Sequence, residues 1–126
     1  MRKGDIFLAE NRENNPHPIV FIEQIDRVCF KACILSHQPT NNNIPMIQEH
    51  FHINDENGNP YQIQFENSYL VFNETFIKMT FWLSSEEVKG RLTDIGINFI
   101  EQYVNEQPVL CPAPIWKYRP VENNRQ

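Results

Sequence analysis

The sequence predicts a mainly β, or α+β, fold: a small β-barrel followed by a C-terminal helix. Short runs rich in β-branched and aromatic residues, separated by turn residues, fill the chain up to about residue 81. The apolar period then changes from two residues to about 3.6. A chain of 126 residues is long enough for one domain with one hydrophobic core.

The first three strands are the clearest. Residues 4–10 predict a first strand, and the Asn- and Pro-rich run 11–16 ends it. Residues 19–25 and 28–35 predict a second and a third strand, joined by Asp26-Arg27, a connection of hairpin length. The third strand has two faces, one with Val28, Phe30, Ala32 and Ile34 and the other with Cys29, Lys31, Cys33 and Leu35.

The middle of the chain predicts shorter strands. Residues 36–45 form a polar loop, 46–53 predict a fourth strand, and 54–60 predict a turn. Residues 61–65, 68–72 and 76–81 predict further short strands. The order in which these strands pair stays open, because one sequence does not fix it.

A helix is expected after residue 83. Leu83-Ser84-Ser85-Glu86-Glu87 combines a Ser cap with carboxylates in the first turn. Gly90 and Gly96 weaken this helix, and Thr93-Asp94 is an alternative start for a second one. Residues 1–107 are therefore expected to form the domain, and 108–126, with four prolines, an extended tail. The helix has one apolar stripe, formed by Val88, Leu92, Ile95, Phe99 and Tyr103. We expect the last three of these residues to be largely buried.

Composition restricts the function. The net charge of −5 and the pI of about 5.3 argue against a broad electrostatic grip on nucleic acid, but leave room for a local basic site. No run approaches the ~20 apolar residues of a membrane span. An odd, small number of cysteines and no signal peptide pattern predict a cytoplasmic protein.

The most suggestive polar residues lie where the predicted hairpin ends. Counting outward from Asp26-Arg27 places Pro18 near Leu35, and His17 beside Ser36. Two imidazoles, of His17 and His37, together with a hydroxyl, can transfer protons and bind a phosphate. The alternative is an exposed strand end whose polar groups satisfy turns. Positive charge for such a site is available from Lys3 or Arg12.

Metal binding is the weaker interpretation of the remaining His and Cys residues. His50 and His52 would share a face of a strand, but no third ligand lies near them in sequence. Cys29 and Cys33 would lie about 13 Å apart on a regular strand, too far for one ion. We therefore expect no metal and no other cofactor, and structural cysteines.

Several segments, in this order, resemble the MazF/PemK family of toxins over residues 3–105. Lys3-Gly4-Asp5-Ile6-Phe7-Leu8 is similar to the first strand of the family, and His17-Pro18-Ile19-Val20-Phe21-Ile22 to its second. Cys33-Ile34-Leu35-Ser36-His37 is similar to the third strand, which closes on Thr or Ser. Phe76-Ile77-Lys78 and Leu83-Ser84-Ser85-Glu86-Glu87-Val88 resemble a lysine-containing strand and the entry to the final helix.

The resemblance implies an SH3-like barrel that forms a homodimer and cleaves single-stranded RNA at short sequences without a metal. It implies a small antitoxin protein as partner and no membrane association. His17 stands where the family usually has Arg, Ser36 matches the Thr/Ser position, and Glu74 is a possible base. The loss of that Arg and the acidic pI favour a second hypothesis, a non-catalytic barrel that binds a peptide or protein. A third is an unrelated small β domain.

Overall fold

The computed structural model describes residues 1–8, 17–40, 42–80, 83 and 87–104, with 72–79 and 104 described by their backbone. Six strands form one antiparallel sheet in the order β4-β5-β3-β2-β1-β6. A mainly β fold with one C-terminal helix is therefore confirmed. The elements are β1 (Asp5–Leu8), β2 (Pro18–Gln24), β3 (Cys29–Ser36), β4 (Ile44–Pro45), a 3-10 helix (Gln48–His50), β5 (Tyr69–Met79), β6 (Gly90–Arg91) and α1 (Asp94–Val104).

Closure of the sheet into a barrel remains a prediction. β4 and β6 are the two outer strands of the sheet, and no pairing in the described part of the chain joins them. The tail 108–126 lies outside the described residues, as do 84–86 at the predicted helix start. No helix in the described ranges has the length and apolar character needed to cross a membrane.

The hairpin of β2 and β3 has the predicted register at its far end. Ile19 lies opposite Ile34 and Val20 opposite Cys33, as counting from the turn requires. Two deviations cancel on the way. The tip is one residue longer than expected, since the Ile25 amide donates to the carbonyl of Cys29, and a bulge between Phe21 and Glu23 restores the register.

The two faces of β3 join two separate apolar clusters, as its alternating sequence predicts. Cys33 and Leu35 pack in a cluster with Ile6, Val20, Ile22, Leu92 and Ile100. Phe30, Ala32 and Ile34 pack in a second cluster with Phe7, Ile19 and Phe21. Because both faces are covered, every residue of β3 is buried, and β3 lies in the interior of the sheet between β5 and β2.

The helix begins at Asp94, so the alternative start at Thr93-Asp94 is confirmed and the start at Ser84-Ser85 is not. The preceding residues 90 and 91 form β6 against β1, where backbone pairing outweighs the helical pattern. The Thr93 hydroxyl caps the helix by accepting a hydrogen bond from the Gly96 amide at 3.1 Å. Ile100 is fully buried, but Ile95, in the first turn of the helix, is 58% exposed, so the predicted burial of Ile95 is wrong. Phe99 and Tyr103 are half-buried.

Residues 46–53 do not form the predicted strand. The 3-10 helix Gln48–His50 occupies the middle of this segment, and only Phe51 bridges to Leu92. Residues 61–65 are irregular, and the predicted strands 68–72 and 76–81 are one strand, β5. The turn at 54–60 is confirmed, because the Asp55 carboxylate accepts from the amides of Asn57 and Asn59.

Candidate functional site

A small cleft lies where β2 begins and β3 ends, the region that the sequence singled out. We call it the His37 cleft. It has a volume of about 100 Å³. One wall is formed by the strand ends, with Pro18, Leu35, Ser36 and His37, and the other by the irregular segment 62–68, with Gln62, Ile63, Gln64, Glu66 and Ser68.

The His37 ring is held in one orientation. Its Nδ1 lies 2.7 Å from the carbonyl oxygen of Glu66. A carbonyl only accepts hydrogen bonds, so Nδ1 carries the proton and donates. In the neutral ring, Nε2 is then the nitrogen with a free lone pair. His37 is thus an exposed imidazole with a fixed tautomer, the form that a general base requires.

Two serine hydroxyls shape the cleft. Ser36 is 5% exposed at the end of β3, and its Oγ accepts from the Gln38 amide at 3.0 Å. Ser68 is equally buried, and its Oγ accepts from the Glu66 amide at 3.2 Å. Each hydroxyl keeps its proton to donate. Ser68 also orders the chain that carries the carbonyl bonded to His37.

His17 is exposed and directly precedes Pro18, which lines the cleft. The register of Ile19 with Ile34, continued by two residues, leads to His17 opposite Ser36. Lys3 lies at the other end of β1, since Leu8 is the residue of β1 that pairs with Pro18. The Lys3 ammonium bonds Glu101 on α1 at 2.6 Å, which raises its pKa. The structure therefore does not bring Lys3 to the cleft.

For the other two predicted site residues, Arg12 and Glu74, the structure describes no side-chain position. Arg12 lies outside the described residues. Glu74 lies on β5 in an irregular stretch. Cys33 pairs with Thr75 and Leu35 with Leu70, so residues 71–74 all lie opposite Ile34. This stretch is described by its backbone.

Lys89 is a cation that the sequence reasoning missed. Its Nζ lies 3.4 Å from Oε1 of Gln62, a cleft residue, and 3.6 Å from a carboxylate oxygen of Glu87. Among the described residues that line the cleft itself, none is Lys or Arg. No pattern in the sequence marked Lys89. The structure brings it to this region because Gly90 packs closely against segment 62–68, where a Cβ atom would lie 2.7 Å from the Ile63 carbonyl oxygen.

His50 and His52 do not lie side by side on a strand, the arrangement that the weaker, metal-binding interpretation required. His50 is buried and stacks on Phe99 with ring centroids 4.4 Å apart, whereas His52 is exposed. Burial lowers the pKa of His50, whose Nδ1 accepts from the Ile47 amide at 3.1 Å. Within the described ranges, no three His, Cys, Asp or Glu residues are grouped to hold a metal.

Cys29 and Cys33 are both buried in β3, as structural cysteines should be. Burial raises the pKa of Cys33 to about 12, so its thiol is a poor nucleophile.

No family model matches the chain, and neither the curated proteins nor the solved structures give a significant match. The chemistry of the His37 cleft is therefore argued from its own residues. An oriented imidazole, two hydroxyls and a nearby ammonium are the groups that acid–base chemistry at a phosphate uses.

Proposed function

We propose that this chain is a metal-independent endoribonuclease that cleaves single-stranded RNA in the His37 cleft. The observation that carries the proposal is the His37 imidazole, fixed through Nδ1 by the Glu66 carbonyl in a cleft that also contains Ser36. The resemblance to the MazF/PemK toxins supports the same reaction.

The proposed reaction uses the 2′-hydroxyl of the RNA as nucleophile. His37 Nε2 takes the 2′-hydroxyl proton, O2′ bonds to the adjacent phosphorus, and the bond from phosphorus to O5′ breaks. The imidazolium of His17 gives its proton to O5′, which leaves a 2′,3′-cyclic phosphate and a 5′-hydroxyl. Ser36 and Lys89 are the groups proposed to stabilise charge on the phosphate oxygens.

The size of the cleft favours a polymer as substrate. Pockets that enclose a small ligand usually measure about 300–1,000 Å³. The His37 cleft, at about 100 Å³, is too small to enclose a whole nucleotide. A bound RNA would therefore place one phosphate and its 2′-hydroxyl at the cleft and lie mostly on the surface around it.

The experiment is cleavage of a mixed-sequence single-stranded RNA by the purified protein between pH 5 and 8. His37→Asn keeps a side-chain donor for the Glu66 carbonyl but removes Nε2, so the rate should fall by about 10²–10⁴. His17→Ala should give a similar loss. His52→Asn, an exposed histidine outside the cleft, is the matched control and should leave the rate unchanged.

The pH profile adds a second test. A neutral base and a protonated acid predict a bell-shaped rate, and His17→Arg should remove one limb while keeping a positive charge. EDTA should not change the rate. An intact RNA with the wild type at every pH would overturn the proposal.

A non-catalytic binding module is the second candidate, and one observation favours it: the described lining of the cleft holds no Lys or Arg. Such a protein would bind an extended peptide in the same cleft. Saturable binding of a peptide together with intact RNA would select this alternative.

The biological role rests on the resemblance alone. We propose a cytoplasmic homodimeric toxin that a small antitoxin protein neutralises. Expression of the chain should arrest growth, expression of the His37→Asn variant should not, and co-expression of the antitoxin should restore growth.

A further inference from the structure

A short bend before β5 connects the His37 ring back to the strand that carries it. His37 follows Ser36, and Ser36 pairs with Tyr69, the first residue of β5. Tyr69 follows Ser68, whose Oγ accepts from the Glu66 amide at 3.2 Å. The Glu66 carbonyl in turn accepts from His37 Nδ1 at 2.7 Å. The chain and these hydrogen bonds therefore form a closed ring that begins and ends at His37.

Ser68 is the anchored member of this ring. It is 5% exposed, and its backbone carbonyl accepts from the Met46 amide at 3.0 Å. Glu66, in contrast, is exposed. The hydroxyl of Ser68 therefore ties an exposed peptide, the one that contacts the imidazole, to a buried part of the backbone.

Asn67 gives the bend its shape. It lies between Glu66 and Ser68, it is exposed, and its φ of 51° is in the left-handed region. Asn enters this region more readily than most residues, whereas a β-branched residue there is strained. The direction of the Glu66 carbonyl thus depends on the backbone of Asn67 as well as on the hydroxyl of Ser68.

We propose that Ser68 and Asn67 are positioning residues that keep the proton of the His37 imidazole on Nδ1. A neutral imidazole can carry its proton on either nitrogen, and the Glu66 carbonyl favours Nδ1 because it can only accept. Without the support of Ser68 and Asn67, this carbonyl turns away and the proton is shared with Nε2. A ring protonated on Nε2 has no lone pair there for the proton of a 2′-hydroxyl.

The inference rests on the proposed function for its effect on the rate, whereas the position of the proton is measured without RNA. Long-range ¹H–¹⁵N correlation spectra of the full chain at about pH 8.5, where histidine is ordinarily neutral, distinguish the two ring nitrogens. In the wild type, Nδ1 of His37 should be the protonated nitrogen and Nε2 the unprotonated one. The loss of these signals in His37→Asn assigns them.

Variants of Ser68 test the hydroxyl. Ser68→Ala should bring the two His37 nitrogen signals closer together, because both tautomers are then populated, and Ser68→Thr, which keeps a hydroxyl, should restore the wild-type signals. Thr93→Val is the matched control: it removes a hydroxyl that accepts from the Gly96 amide, away from the cleft, and should leave His37 unchanged. With RNA, Ser68→Ala should lower kcat by about five- to tenfold and change KM little.

Variants of Asn67 test the bend at an exposed position, where the substitution removes no buried contact. Asn67→Gly adopts a positive φ freely and should keep the wild-type His37 signals. Asn67→Val disfavours this φ and should shift the signals in the same direction as Ser68→Ala.

A wild-type His37 with its proton on Nε2 would overturn the inference, and this measurement needs no variant to fold. Unchanged His37 signals in Ser68→Ala or in Asn67→Val would overturn the role of that residue. RNA cleavage without any response of the His37 tautomer would defeat the inference and leave the endoribonuclease standing. The expected tautomer shifts together with intact RNA would do the reverse.

Discussion

Gly96→Ala tests how α1 is seated. In an unobstructed helix, Ala in place of Gly stabilises by about 1 kcal/mol. At Gly96 a Cβ atom would lie 3.0 Å from the carbonyl carbon of His50 and 3.1 Å from its Cα, with the carbonyl oxygen closer still. These are backbone atoms of the 3-10 helix, so the clash cannot be relieved by rotating a side chain.

The expected cost follows from what must shift. Overpacking of this kind costs about 1–3 kcal/mol. The His50 carbonyl also accepts from the Thr93 amide at 2.9 Å, and displacing it weakens a bond worth about 1 kcal/mol. Set against the gain in helix propensity, the free energy of unfolding should fall by about 1–3 kcal/mol.

Urea unfolding at pH 7 measures this change. Asn98→Ala, at an exposed position of α1, is the matched control and should stabilise by a few tenths of a kcal/mol, as helix propensity predicts. If Gly96→Ala stabilises the protein as well, α1 does not rest on the 3-10 helix and the described packing is refuted.

Three further predictions concern buried groups. Burial lowers the pKa of His50, so as the pH falls the unfolded chain binds a proton at this residue before the folded protein does. The free energy of unfolding should therefore fall as the pH drops below about 6.5, by at most about 1.4 kcal/mol per pH unit. In the His50→Asn variant, the midpoint of urea unfolding should depend less steeply on pH. Arg91→Ala should cost about 3–5 kcal/mol in urea unfolding, because it leaves the Asp5 carboxylate, 2% exposed, without its ion pair; a loss under 1 kcal/mol would contradict the pairing. The Cys33 thiol, with a pKa of about 12, should resist iodoacetamide at pH 8 until urea unfolds the protein; rapid alkylation of Cys33 itself in the native chain, located by peptide mass spectrometry, would contradict its burial.

The strand pattern of the first 36 residues was predictable because alternation and turn residues are local signals. The faces of β3 followed from period two alone. The register at the far end of the hairpin, Ile19 with Ile34, was predicted correctly only because the longer tip and the bulge near Ile22, both missed, offset each other.

The alternative helix start at Thr93-Asp94 was correct, whereas the start at Ser84-Ser85 was wrong for a physical reason that local patterns do not contain. The steps from Val88 to Tyr103 are helical, but residues 90 and 91 pair with β1 instead. The useful signals were the glycines. A Cβ at Gly90 or Gly96 would meet backbone atoms of a neighbouring segment, and that close approach, rather than helix weakness, accounts for both.

The candidate site was predicted on one wall only. Ser36 and His37 came from the hairpin argument, whereas Gln62, Gln64 and Glu66 lie in a segment that the sequence assigned to a strand and a short connection. Nothing local marks that segment as the partner of the hairpin end. The left-handed conformation of Asn67, with φ of 51°, occurs at the bend that leads from this segment into β5.

The most direct test of the proposed reaction is cleavage of two RNA strands that differ by one atom. One is all ribose, and the other carries a 2′-deoxynucleotide at the position where the first strand is cut. The wild type should convert the first to a fragment ending in a 2′,3′-cyclic phosphate and one beginning with a 5′-hydroxyl, and should leave the second intact at that position. Cleavage of the deoxy-substituted strand at the same rate, or no cleavage of either strand, would contradict the role assigned to His37.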